Sequence, residues 1–324
     1  MEKLKKYRAD MALGRIFAIY WVVLIQHNFA PYHPDWAWVG NGQYFIFDRV
    51  LDFTSYITLL TMPLCFFISG FILHKTGGLY KESNFLFFCI NKVKRLYVPC
   101  VLFGSIFELI YNGKISWQCL IGFKHLWFIS YLFLYFIVSY FLLRNMTILK
   151  ILGVILGTLA LRTLLKHYDL PFLGIMTYYI WFLLGIFVAK KEDMFHKYDK
   201  FYFIGFCFFY LLKIFQIRIG GGGTEKGDFL YEIFAVFSLL KILAVISNKI
   251  KKYKVFKLLD ETSYGVYIFH MIFLYIFYSI FKNVIGEQYM IENEVVLTSI
   301  LAIFTVPFSI ISTLLLQQTK ILKL

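Results

Sequence analysis

Runs of some 18–20 mostly apolar residues recur along the whole chain, and no other feature limits its fold as much. A run of that length crosses the roughly 30 Å hydrocarbon core of a bilayer as a single helix. Hydrophobic residues make up 60% of the sequence, against about 45–50% in a soluble domain. Mean hydropathy is +0.69. Ten candidate spans follow, at 12–30, 50–73, 96–112, 125–143, 148–165, 173–189, 201–217, 228–247, 264–281 and 294–317. The connections between them are short, so the sequence predicts an all-α integral membrane protein. Residues 1–324 form one polytopic domain, a bundle of about ten transmembrane helices without a soluble appendage or an internal repeat.

The formal net charge is +14. A basic balance can signal nucleic acid, but these lysines and arginines sit in short loops between apolar runs, and no basic stripe stands free of them. They act instead as topology signals and lipid-headgroup anchors. Alternate connections carry most of them, among them Lys3–Arg8, Lys75–Arg95, Lys190–Lys200 and Lys249–Lys257. The intervening loops hold only scattered cations such as Lys114, Lys166 and Lys282. By the positive-inside rule both termini are cytoplasmic and the number of spans is even. The basic N-terminus with its apolar run resembles a signal peptide but lacks a small-residue cleavage site, so it reads as an uncleaved signal anchor.

The five cysteines, Cys65, Cys89, Cys100, Cys119 and Cys207, form no CxxC pair and no Cys/His cluster. They suggest neither a metal site nor a disulfide framework. His33–Pro34–Asp35 and Gly40–Asn41–Gly42 carry turn chemistry. The four-glycine run Gly220–Gly223 reads as slack, since no helix with Lys-Ser/Thr follows it. The sequon Asn145–Met146–Thr147 falls on the cytoplasmic side, where glycosylation is not expected.

The first run, Leu13 to Ala30, carries Arg15 near its start and His27 near its end. An ionisable side chain at the centre of a span costs about 2.5–3.5 kcal/mol on insertion scales for Arg, so it is a functional candidate by default. Fifteen residues from an inner edge near residue 12 lift His27 about 22 Å, into the outer part of the membrane. The bland reading is a structural histidine hydrogen-bonded to a neighbouring helix.

Several stretches occur in an order that matches a known family. Arg15–Ile16–Phe17–Ala18 leads through Trp21–Val22–Val23–Leu24 to His27, and Met62 to Phe71 reads MPLCFFISGF. Lys92–Val93–Lys94–Arg95–Leu96–Tyr97–Val98–Pro99 follows, then His125–Leu126–Trp127–Phe128, then Ser263–Tyr264–Gly265–Val266–Tyr267–Ile268–Phe269–His270. Together they resemble the membrane acyltransferase-3 family of multi-span O-acyltransferases over residues 8 to 275. The resemblance implies a ten-helix bundle. It also implies an acyl group taken from cytoplasmic acyl-CoA, usually acetyl-CoA, and passed to a hydroxyl of a sugar or glycan. It makes the first-span histidine catalytic and the arginine before it important. The family pattern puts ten residues between these two; this chain has eleven. At 100° per residue, the extra position moves the pair from about 20° apart to about 120° apart. Either Arg15 points elsewhere, or a π-bulge between Ala18 and His27 absorbs the extra residue.

Under that resemblance His27 is a general base or a transient acyl carrier. A neutral imidazole titrates near about 6.5 and can take a hydroxyl proton at neutral pH; alternatively it is acylated first. Glu108, near the outer end of the third span, can orient the imidazole or simply face water as an interfacial carboxylate. Lys92 and Arg95 suit the phosphates of CoA, against ordinary positive-inside anchoring. Ser69–Gly70 reads mainly as close helix packing, with Ser69 a candidate substrate contact. His125 and Trp127 begin a span on the outer side, as acceptor-side residues or as an aromatic belt. Ser263 and His270, seven apart, share a helix face; His270 lies nearer the cytoplasm than His27 and can line a donor channel.

The expectation is a multi-pass protein of a bacterial plasma membrane. Its donor substrate is acetyl-CoA or another acyl-CoA, it uses no metal, and its acceptor is an extracytoplasmic or lipid-linked glycan. It binds no nucleic acid, and a homo-oligomer is left open. The rival reading is a glycan flippase, polymerase or exporter, which would also have many spans and intramembrane charges.

Overall fold

The computed structural model describes residues 8–29, 31, 45–77, 84–143, 147–168, 173–214 and 225–319. Among them every regular element is helical. α1 (Ala9–Trp21) runs into a π-helical turn, Val22–His27. α2 is Phe45–Lys75. α3 (Phe85–Lys92), a second π-helical turn (Val93–Tyr97) and α4 (Val98–Asn112) follow one another without a break. A short α5 (Gln118–Ile121) and a 3-10 turn (Lys124–Leu126) lead into α6 (Trp127–Leu143). Then come α7 (Ile148–His167), α8 (Leu173–Lys190), α9 (Glu192–Lys197), α10 (Asp199–Ile214), α11 (Glu225–Ile250), α12 (Lys254–Ile285), α13 (Glu287–Glu292) and α14 (Glu294–Gln318).

Eight helices among the described residues are long and apolar enough to cross a membrane. They correspond to eight of the ten expected spans. The other two, 96–112 and 201–217, fall on α4 and α10, of 15 and 16 residues. For α4 the cations Lys92, Lys94 and Arg95 interrupt the apolar run; 215–217 lie outside the described residues. So do the turn motifs at 33–42, the glycine run Gly220–Gly223 and the first two residues of the sequon.

The chain packs as two compact units, which are taken separately. The first draws on Met1–Arg15, Met62–Ser83 and Ile137–Lys257. Its core is a close crossing of α2 and α8. A Cβ on Gly70 would stand 2.0 Å from the carbonyl oxygen of Phe182, and one on Gly185 would stand 2.0 Å from that of Phe67. The two glycines are reciprocal notches, and only their missing side chains let the backbones meet. Ser69, next to this notch, turns its hydroxyl back to donate to the carbonyl of Cys65 on its own helix. Arg15 is half-buried. Arg162 on α7 donates to the hydroxyl of Thr177 on α8 at 2.9 Å. At one end of the unit Glu192 accepts from both Arg8 and Lys75 at 2.6 Å. Burial pushes the Glu192 carboxyl up, but these two cations outweigh it and hold the group below the usual range.

The second unit draws on Ile16–Thr61, Asn84–Phe136 and Leu258–Leu324. Trp21 on α1 donates to Thr58 on α2, and Asn28, just past the π-helical turn, donates to the carbonyl of Thr298 on α14 at 2.6 Å. A Cβ on Gly265 would strike Thr313 Oγ1 at 2.1 Å, so this glycine lets α14 lie close against α12.

A histidine cluster as the candidate active site

Three helical segments of the second unit bring three histidines together. His27 ends the first π-helical turn. That turn absorbs one residue, so Ile16 to His27 advances like an α-helix one residue shorter. The excess residue between Arg15 and His27 is thus accommodated in the helix, within the stretch the spacing had marked. Asn28 then pins the end of the turn to α14.

His270 lies fully buried in the middle of α12. Its Nδ1 is 3.1 Å from the carbonyl oxygen of Val266, one turn back. Its Nε2 is 2.7 Å from Nδ1 of His27. The rings are nearly parallel, at 2°, with centres 5.0 Å apart. His125 stands edge-on to both, with centres 4.8 Å from His270 and 6.0 Å from His27.

The backbone aims His125 into this cluster. Gly122 has φ +95 and a Cβ there would lie 2.7 Å from the carbonyl oxygen of Leu126. Lys124 takes φ 50, which is uncommon for a residue with a side chain and marks a constrained turn. The 3-10 turn that follows swings the imidazole inward. Tyr267 donates its hydroxyl to the carbonyl of His125, and Phe107 and Tyr267 pack edge-on against the ring. His125 Nε2 lies 3.4 Å from the carbonyl of Ile268, a long contact, while its buried Nδ1 has no hydrogen-bond partner among the described residues.

Glu108 is placed otherwise than as an orienting carboxylate beside the imidazole. It is buried, and its oxygens accept from Ser116 N at 2.8 Å, Ser116 Oγ at 2.6 Å and Cys119 Sγ at 2.7 Å. It fastens the loop after α4, which Gly113 opens with a left-handed φ of 67. His27 Nδ1 meets His270 instead, a pairing that no spacing in the sequence announces.

Lys92 covers the rings of Phe136 at 4.0 Å and Phe88 at 5.3 Å. Arg95 is exposed. Its carbonyl lies four residues before Pro99, which has no N–H to offer it. The hydroxyl of Tyr264 donates there instead, at 3.1 Å, joining α12 to the cationic turn. Ser263, beside Tyr264, donates to the carbonyl of Asp260 within α12. Trp127 is half-buried and packs edge-on against Tyr131. Ser69 and Arg15 belong to the first unit. Tyr264 and Tyr267 lie within the SYGVYIFH stretch, and their hydroxyls bond the carbonyls of Arg95 and His125, partners that only the packed helices reveal. No group of three or more His, Cys, Asp or Glu side chains among the described residues has metal-holding geometry.

The family model for the acyltransferase-3 acyltransferase domain matches residues 8–314. The chain belongs to the acyltransferase-3 family, and that membership implies acyl transfer. With eight membrane-length helices among its described residues, the protein is a membrane acyltransferase. No curated protein and no solved structure matches the chain.

Proposed function

We propose that the protein is an O-acyltransferase of a bacterial plasma membrane, moving an acetyl group from cytoplasmic acetyl-CoA to a hydroxyl of an extracytoplasmic or lipid-linked glycan. The bundle crosses the membrane ten times with both termini inside. The observation that carries this reading is His27 in hydrogen-bond contact with His270, inside a chain of an acyl-transferring family. His27 takes the proton of the acceptor hydroxyl while its oxygen attacks the thioester carbonyl. The C–S bond breaks, the CoA thiolate takes the proton from the imidazolium, and an ester and free CoA result. In the covalent variant the imidazole is acylated first and the hydroxyl displaces it. Lys92, at the end of α3, and Arg95, in the cationic turn tied to α12 by Tyr264, hold the CoA phosphates.

His27→Ala, scored for O-acetyl groups on the surface glycan by NMR, tests this. The reading expects the acetyl signals to vanish while the glycan is still exported. Intact acetylation with arrested export would turn the assignment over to a transporter.

A further inference from the structure

We infer that His270 is a positioning residue for His27: it fixes the tautomer and orientation in which His27 presents Nε2 to the reacting groups. The inference rests on the proposed role of His27 and adds which nitrogen reacts and what holds it in place.

The assignment follows from what each atom can do. The carbonyl of Val266 only accepts, so Nδ1 of His270 carries the hydrogen. A neutral imidazole has one N–H, so Nε2 of His270 carries a lone pair. The atom 2.7 Å from it is Nδ1 of His27, which therefore brings the hydrogen. Nε2 of His27 is then the basic nitrogen. The chain of hydrogen bonds ends on a backbone carbonyl that only accepts, so the polarity cannot reverse without breaking the Val266 bond.

The ring geometry agrees. A ring nitrogen lies about 1.1–1.2 Å from the centre of its imidazole. Two such radii added to the 2.7 Å gap reproduce the 5.0 Å between centres. With the planes 2° apart, the rings lie edge to edge in nearly one plane rather than face to face. The hydrogen bond is therefore close to linear, the geometry that holds most strongly and resists rotation of the His27 ring. His270 is itself immobilised by complete burial, by His125 standing edge-on to it and by the tilted ring of Tyr267.

The arrangement favours the reaction as well as the resting state. When Nε2 of His27 gains the hydroxyl proton, its Nδ1–H becomes a charged donor, and charge-assisted hydrogen bonds are about twice as strong as neutral ones. The pair therefore tightens as the transition state forms, which is the condition for raising kcat rather than binding alone. His270 exchanges no proton. The same Nε2 serves attack on the thioester if an acyl-imidazole forms first.

Three substitutions separate this role from simple packing. In His270→Gln the amide oxygen sits where the ring Nε2 was and can accept from His27. In His270→Asn the amide reaches only the Nδ1 position, and His270→Leu offers no acceptor. With kcat and KM measured on purified protein, Gln should stay within about 3-fold of the unaltered kcat. Asn and Leu should lose about 10- to 100-fold at an unchanged KM for acetyl-CoA, short of the 10²–10⁴ carried by a general base itself. Equal activity in all three, or a loss carried by KM, overturns the role. Nitrogen-15 NMR of histidine-labelled unaltered protein gives an answer even if the variants do not fold. The His27 signals, identified by their loss in His27→Gln, should report a protonated Nδ1 and a bare Nε2; a protonated Nε2 overturns the inference. Full activity of His27→Ala would sink the base and the positioning role together. A fatal His27→Ala beside an indifferent His270 series would sink the positioning role alone.

Discussion

Replacing Glu108 separates a loop fastener from an imidazole-orienting carboxylate. In Glu108→Ala the Ser116 N, the Ser116 Oγ and the Cys119 Sγ lose their acceptor, as does the exposed Asn112 side chain, which water can serve. A hydrogen bond to a charged group contributes about 1.5–3 kcal/mol, and a buried donor left unmatched costs about 1–3 kcal/mol. Ser116 is half-buried, so water can serve it in part, whereas Cys119 is buried and gains no such substitute. The net loss comes to about 3 kcal/mol. Glu108→Gln keeps an oxygen for Ser116 N and Cys119, and the Ser116 hydroxyl can turn to accept from the amide. Only charge assistance goes, about 1 kcal/mol. At about 2–4 °C per kcal/mol for domains of 150–250 residues, the Ala variant should unfold roughly 6–12 °C lower and the Gln variant a few degrees lower. Thermal unfolding of detergent-purified protein reads this directly. Because the fastened loop leads into Lys124 and His125, activity should fall with stability in Ala and largely survive in Gln. A Gln variant as stable as the parent yet inactive would refute the reasoning and return the carboxylate to the chemistry. So would an Ala variant with no loss of stability.

Gly185→Ala forces a Cβ into the carbonyl of Phe67 and should destabilise the first unit by about 1–3 kcal/mol. Gly153→Ala, where nothing lies within 4 Å, is the control, and equal melting of the two would disprove the close crossing. Arg95→Ala should weaken acetyl-CoA binding about 10-fold, the loss of one exposed ion-assisted phosphate contact of about 1.4 kcal/mol. Calorimetry that finds the affinity unchanged removes the donor assignment.

Eight membrane-length helices were legible because an apolar run of bilayer length is a compositional signal that needs no tertiary context. The π-helical turn was legible for a different reason: one residue too many between Arg15 and His27 had to be absorbed somewhere. The sequence sets His270 nearer the cytoplasm than His27, whereas their rings meet at 2.7 Å and so lie at one level of the second unit. A contact between residues 243 positions apart depends on how α1 and α12 pack, which no spacing within either helix encodes. The partner of Glu108 was hidden too, because Ser116 sits across a turn whose direction is set by the left-handed Gly113. The donor given to the Arg95 carbonyl by Tyr264 needed both helices in place, although Pro99 announced that the carbonyl would lack its usual N–H.

The most direct measurement is transfer of labelled acetyl from acetyl-CoA by the purified, membrane-reconstituted protein carrying His27→Gln, with acetyl-CoA binding measured on the same sample. A catalytic imidazole predicts that transfer falls by about 10²–10⁴-fold while donor binding is kept. Transfer at the unaltered rate by a protein whose His27 is gone would contradict it.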